Sequence, residues 1–173
     1  MDGLKTKRVE LRCFKKSDYI SIADLMCDPD IMKFTGFKNP QSTQIIKEYL
    51  NKWIDEPKSH LGTWAAEYLD SREFVGWFML KKTISESPEL GFMVSKKYWN
   101  IGIATEISSL IIKNAFNNHS EEKIIASTTR ENIPSIKVLT KLGFVRSLLK
   151  TDDENIIYFE VKNTSSEDKP QAK

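Results

Sequence analysis

Cysteine and histidine are scarce in this chain of 173 residues, with two of each, and their placement excludes several chemistries. Cys13 and Cys27 form no Cys-x-x-Cys pair, and only His60 and His119 stand elsewhere. Neither a zinc-ligand spacing nor a disulfide framework follows, so the expectation is two reduced thiols and no metal. No apolar segment opens the chain, and no apolar run reaches transmembrane length. A membrane partner is not expected, and the cytoplasm is the default compartment. A surplus of one charge is lacking too. The 26 Lys+Arg and 24 Asp+Glu leave a net charge of +2, which gives no general reason to expect nucleic acid as a partner. Neither G-x-G-x-x-G nor G-x-x-x-x-G-K-[ST] occurs, so nicotinamide-dinucleotide and P-loop readings find no support.

What is present is ordinary in amount and ordered in arrangement. Hydrophobic residues make up 40% and charged residues 29%, which suits one domain with one substantial core. That domain is expected over residues 1–162, followed by a polar tail over 163–173 with too little apolar content to order itself. Val9–Phe14 alternates as a first strand. Ser17 or Asp18 can cap a helix carrying Ile20, Ala23, Leu25 and Met26, ending near Pro29. A second helix from about Ser42 to Asp55 presents Ile45, Ile46, Tyr49, Leu50 and Trp53, and stops before Pro57. Thr63–Leu69 and Phe74–Leu80 read as a hairpin, with Glu89–Val94 as the next strand. A strand near Lys123–Thr128 and two closing strands, about Phe144–Lys150 and Ile156–Val161, complete the pattern. The order β-αα-βββ-α-β-α-ββ is a mixed α/β (α+β) chain around one central sheet.

Two segments carry the chemistry. Pro88–Val94, followed by Tyr98-Trp99-Asn100-Ile101-Gly102-Ile103-Ala104-Thr105-Glu106, reads as strand, turn and helix start. A small-residue turn entering a helix leaves backbone N–H groups free at the positive end of the helix dipole, a site for phosphate or pyrophosphate. Gly102 and Ala104 also serve close packing alone. The second segment is Asn132-Ile133-Pro134-Ser135 through Leu142-Gly143-Phe144, with a helical stripe of Ile136, Leu139 and Leu142. Pro134 suits the first turn and Gly143 the C′ stop, while Asn132 can be a plain turn or cap residue.

Together the segments resemble the GNAT superfamily of acyl-CoA-dependent N-acyltransferases. Trp99-x-x-Gly102-x-Ala104 sits where that family's [Gln/Arg]-x-x-Gly-x-[Gly/Ala] pyrophosphate motif falls, and the spacing to Asn132 and Leu142-Gly143-Phe144 fits. The opening Arg8-Val9-Glu10-Leu11-Arg12, then Ser17-Asp18 and Asp28-Pro29-Asp30-Ile31-Met32, looks like the RimJ/RimL-type branch. Asn100 stands where that branch usually has Gly, and Asn tolerates positive φ better than most residues. The resemblance implies a single-domain fold with a central, mostly antiparallel sheet flanked by helices, and admits a homodimer.

The resemblance also implies an activity: transfer of an acetyl group from acetyl-CoA to a primary amine, directly and in a ternary complex. The acceptor is a protein N-terminus or a small amine. Backbone amides of Asn100, Ile101, Gly102, Ile103, Ala104 and Thr105 would hold the pyrophosphate. Phe92, Met93 and Val94 would pair with the pantetheine arm, Val94 supplying an oxyanion-type N–H. Asn132 would bond the pantetheine amide. Ser135 is the candidate proton donor to the leaving thiolate, since Leu139 stands where many relatives have Tyr; capping is its other use. Glu89 is the candidate general base, directly or through water, with Glu67 and Tyr68 in reserve. A lone carboxylate is also commonly just a solvated edge residue. Lys96, Lys97, Arg130 and Lys137 could reach phosphates. Asp28, Asp30, Asp55 and Glu56 would suit a polycation if they converged. The alternative is a non-catalytic acyl-CoA-binding or regulatory domain of the same fold.

Overall fold

The computed structural model describes residues 3–164 except 36, 38, 58, 150 and 151. Residues 165–173, most of the expected tail, lie outside the described residues. Before them, the Asn163 N–H is tied to the Glu122 carbonyl at 2.8 Å.

Seven strands form one sheet: β1 Val9–Arg12, β2 Gly62–Tyr68, β3 Phe74–Lys82, β4 Pro88–Val94, β5 Lys123–Thr129, β6 Val145–Arg146 and β7 Ile156–Lys162. Their spatial order is β1-β2-β3-β4-β5-β7-β6, and every pairing is antiparallel except β4 with β5. A parallel pair needs a crossover, supplied here by α4 (Ile103–His119). The other helices are α1 Tyr19–Cys27, α2 Pro29–Met32, α3 Thr43–Ile54 and α5 Ile133–Lys141. Among the described residues no helix is long and apolar enough to cross a membrane.

Alternation along the central strands divides the core between the two faces. Phe78, Leu80, Leu90 and Val94 pack with Ile103, Ile107 and Ile111 of α4 and Leu139 of α5. Ala65 and Met93 face the other way, onto Ile22 and Met26 of α1 and Ile46, Leu50 and Trp53 of α3.

Local signals placed most of these elements, and tertiary packing amended four. Asp18 precedes α1 but makes no cap bond; its carboxylate accepts from the Lys15 N–H and from Arg12, and Lys16–Asp18 forms a 3-10 turn. Ile20 is solvent-exposed, because Ile22, Leu25 and Met26 form the face that meets α3. The Asp28 carboxylate caps the Asp30 and Ile31 N–H groups with Pro29 in the first turn, making the unforeseen short α2. β6 is much shorter than Phe144–Lys150. Ser147 still donates its N–H to the Tyr158 carbonyl, but its hydroxyl also accepts from the Leu149 N–H and the chain turns away.

Candidate active site

β4 and β5 pair at a single register point, Glu89 opposite Ile125, and then separate. The Ser95 N–H bonds the Val75 carbonyl, so by antiparallel alternation Met93 and Gly91 face β3. Phe92 and Val94 therefore turn their backbone groups towards the gap. A cavity of about 640 Å³ occupies that gap, lined by Glu89–Met93 on one side and Ala126–Thr129 on the other. Asn132, Ser135 and Leu139 of α5 line it, as do Phe34 and Phe37 from the α2–α3 connection. Since α5 and α2–α3 cover opposite faces, the cavity is a passage through the sheet.

Glu89 lies inside it. The residue is 9% exposed, on a central strand, so the reading of a solvated edge carboxylate does not apply. One carboxylate oxygen accepts from the Thr83 hydroxyl and the other from the Ser127 hydroxyl, both at 2.5 Å. These two hydroxyls fix the carboxylate's orientation, and neither was singled out from the sequence. Ser127 lay within an apolar run and Thr83 at a strand end, with no local signal joining them to Glu89. The reserve candidates lie elsewhere. Glu67 is held by Arg12 at 2.7 Å and Arg72 at 2.8 Å, and Tyr68 stacks on Tyr98 with 5.3 Å between centroids.

Asn132 caps α5: its side-chain oxygen accepts from the Ser135 N–H at 3.1 Å. Its amide NH2 is the group suited to meet an amide carbonyl. Ser135 is thus the third residue inside the helix, not its cap.

The phosphate turn lies outside the cavity lining, beyond the Val94 end of β4. Asn100 (φ 62°) and Gly102 (φ 81°) are both left-handed, as a loop of this shape requires. Gly102 begins α4 without a side-chain cap, and a Cβ built there meets nothing within 4 Å. The first N–H groups of α4 have no intrahelical partners, so the turn fits a pyrophosphate. Ile103 is fully buried, leaving only its backbone for that role, whereas Ile101 is half exposed. Trp99 ties turn to strand: its indole N–H donates to the Val94 carbonyl at 2.7 Å. Arg8, read from the sequence only as part of an opening pattern, donates to the Ile101 carbonyl at 3.2 Å and to the Glu106 carboxylate.

The charged candidates divide. Lys96 is paired with Asp28 at 2.8 Å and Asp30 at 2.6 Å, and Lys97 with Glu73 at 2.6 Å. The Lys96 ammonium holds both aspartates below the usual carboxylate range. Glu56 pairs with Lys81 at 2.6 Å. Asp55 ends α3, so these four carboxylates do not converge on one site. Arg130 lines the cavity, donating to the Glu154 carbonyl, and Lys137 is exposed on α5. Among the described residues, no three His, Cys, Asp or Glu gather as a metal site.

Known proteins share this architecture. The sequence model of the acetyltransferase (GNAT) domain matches residues 8–145. The chain is 29% identical to the uncharacterized protein YkkB of Bacillus subtilis, over 81% of this chain and 83% of that one. It is 28% identical to the FsC-acetyl coenzyme A-N(2)-transacetylase of Aspergillus fumigatus, over 81% of this chain and 63% of that one. The crystal structure of a GNAT-family acetyltransferase from Bacillus anthracis superposes with a TM-score of 0.80 at 23% identity, covering 92% of this chain and 97% of the other. A parted β4–β5 pair, an uncapped helix start beside it and a family model spanning most of the chain converge on one conclusion: this protein belongs to the GNAT family of acetyltransferases.

Proposed function

We propose that residues 1–162 form an N-acetyltransferase that moves an acetyl group from acetyl-CoA to a primary amine by direct transfer in a ternary complex. The passage between β4 and β5 carries this reading, because it presents a buried carboxylate and a helix-start hydroxyl in one cavity. Acetyl-CoA, when bound, supplies an activated thioester. The free amides of residues 100–105 hold its pyrophosphate. The outward N–H groups of Phe92 and Val94 order the pantetheine arm, and the Asn132 amide donates to it. In this reading the Val94 N–H hydrogen-bonds the thioester carbonyl oxygen and steadies the charge that develops there. Glu89, oriented by Thr83 and Ser127, accepts the amine's proton directly or through one water. Ser135 donates its hydroxyl proton to the departing sulfur and regains one from water, while Glu89 returns the amine's proton to solvent.

Calorimetry and turnover test the two halves of the site separately. Gly102→Glu has room for its side chain, so the domain folds with about 1–2 kcal/mol of left-handed strain, and acetyl-CoA binding is abolished. Glu89→Gln keeps acetyl-CoA affinity and loses about 10²-fold or more in kcat. Binding by the wild type without turnover of any amine supports instead the acyl-CoA-binding regulatory domain. No binding at all overturns both.

A further inference from the structure

The two ends of the passage differ in chemistry. The α5 end carries Asn132 and Ser135, and the far end carries Phe34, Phe37, Trp77 and Met79 around Glu89. Register places Trp77, Met79 and Glu89 on the same face of the sheet, the face that meets α3. Trp77 is braced from behind. Its ring lies 5.6 Å from that of Trp53, which stacks on Phe14 at 4.9 Å, while Phe37 meets Tyr49 edge-on at 5.4 Å. Such a wall is preformed and loses little entropy when a flat apolar group settles against it.

Charge accounting narrows the occupant. A cation taken out of water needs its own carboxylate or its hydration. Glu89 is the carboxylate oriented by two hydroxyls beside these apolar side chains, and Glu131 and Asp153 are the other carboxylates among the described lining residues. Asp28, Asp30 and Glu56 are taken by Lys96 and Lys81. Lys33 and Arg130 also line the cavity, and both cations repel a second positive charge on the acceptor. A polyamine would bring its further positive charges towards these two cations. An extended peptide would lay most of its backbone N–H and C=O groups against ring faces and a thioether that cannot bond them, with the buried Trp77 N–H as an unpartnered donor on that wall.

Resting on the acetyltransferase reading above, we propose that the acceptor is a small primary monoamine joined by a short linker to an aromatic or similarly bulky apolar body. Its ammonium sits at Glu89, and its ring packs against Trp77, Met79 and Phe34. Met79 reaches this position because Gly91 opposite it has no side chain: a Cβ there would lie 2.7 Å from the Met79 methyl.

Equilibrium binding separates this inference from catalysis. 2-Phenylethylamine, spermidine and an alanine-led tripeptide are titrated by calorimetry into the full chain saturated with CoA, and each is assayed in parallel for acetyl transfer from acetyl-CoA. The expected result is binding of 2-phenylethylamine about tenfold or more tighter than either competitor, a gap of the size apolar pockets give. Phe34→Ala weakens that binding about tenfold, and Met79→Glu narrows the gap to spermidine, both with acetyl-CoA affinity retained. Spermidine or the tripeptide binding as tightly as 2-phenylethylamine overturns the proposal, as does indifference of its affinity to both substitutions. Selective binding without transfer leaves the monoamine site standing and removes the catalytic reading instead.

Discussion

Trp99 shows how one side chain can couple the two halves of the proposed cofactor site. Its ring is 39% exposed, yet its N–H is spent on the Val94 carbonyl, at the end of the strand edge that faces the gap. That bond holds the last residue of β4 with its backbone groups turned away from β3, on the side of the gap. Trp99→Phe keeps an aromatic ring and removes the donor, a loss of about 1 kcal/mol. The expected outcome is acetyl-CoA binding about fivefold weaker by calorimetry, with the thermal midpoint lowered by about 2–4 °C at most. Asn100 acts at the same scale. The sequence anticipated its positive φ because only the residue's own sterics and those of its neighbours decide it.

At the scale of the element, α4 is held at its start by a residue from the other end of the chain. Arg8 bridges the Ile101 carbonyl and the Glu106 carboxylate, pinning the phosphate turn to the segment that opens β1. Burial pushes the Glu106 carboxyl up, and hydrogen bonds from Arg8 and Thr6 together with the Arg8 charge more than reverse this, leaving it below its ordinary value. The unfolded chain therefore takes up this proton first on acidification. Stability from the pair is present above about pH 4.3 and drains as pH falls through the folded-state value. Arg8→Ala should flatten that acid limb in urea-unfolding midpoints. Because the pair is partly exposed, it should weaken acetyl-CoA binding by no more than about fivefold. A larger loss of affinity would mean that Arg8 touches the cofactor itself.

Across the whole molecule, the layer of α1–α3 is fastened to the sheet by a buried ion triad. Arg12 of β1 meets Asp18 at 2.8 Å and Glu67 of β2 at 2.7 Å, all three nearly inaccessible. Burial alone would loosen the Arg12 proton, but its hydrogen bonds to the two carboxylates hold it more firmly than usual. Arg12→Ala strands the buried Asp18 carboxylate, leaves Glu67 with Arg72 alone, and should cost about 3–5 kcal/mol in denaturant unfolding. What the sequence by itself determined is governed by near neighbours: the Asn132–Pro134 start and Gly143 stop of α5, the left-handed turn before α4, the β2–β3 hairpin and the order of elements apart from α2. Caps, prolines and positive-φ residues act within four or five positions, so they are visible in a single chain. Only the tertiary structure decided that Glu89 is buried between two hydroxyls, one of them 38 residues away, and that Lys96 and Lys97 answer to carboxylates. It alone parted β4 from β5 after one residue pair. Those outcomes depend on which distant groups arrive within a few ångströms of one another, and no local pattern encodes that distance.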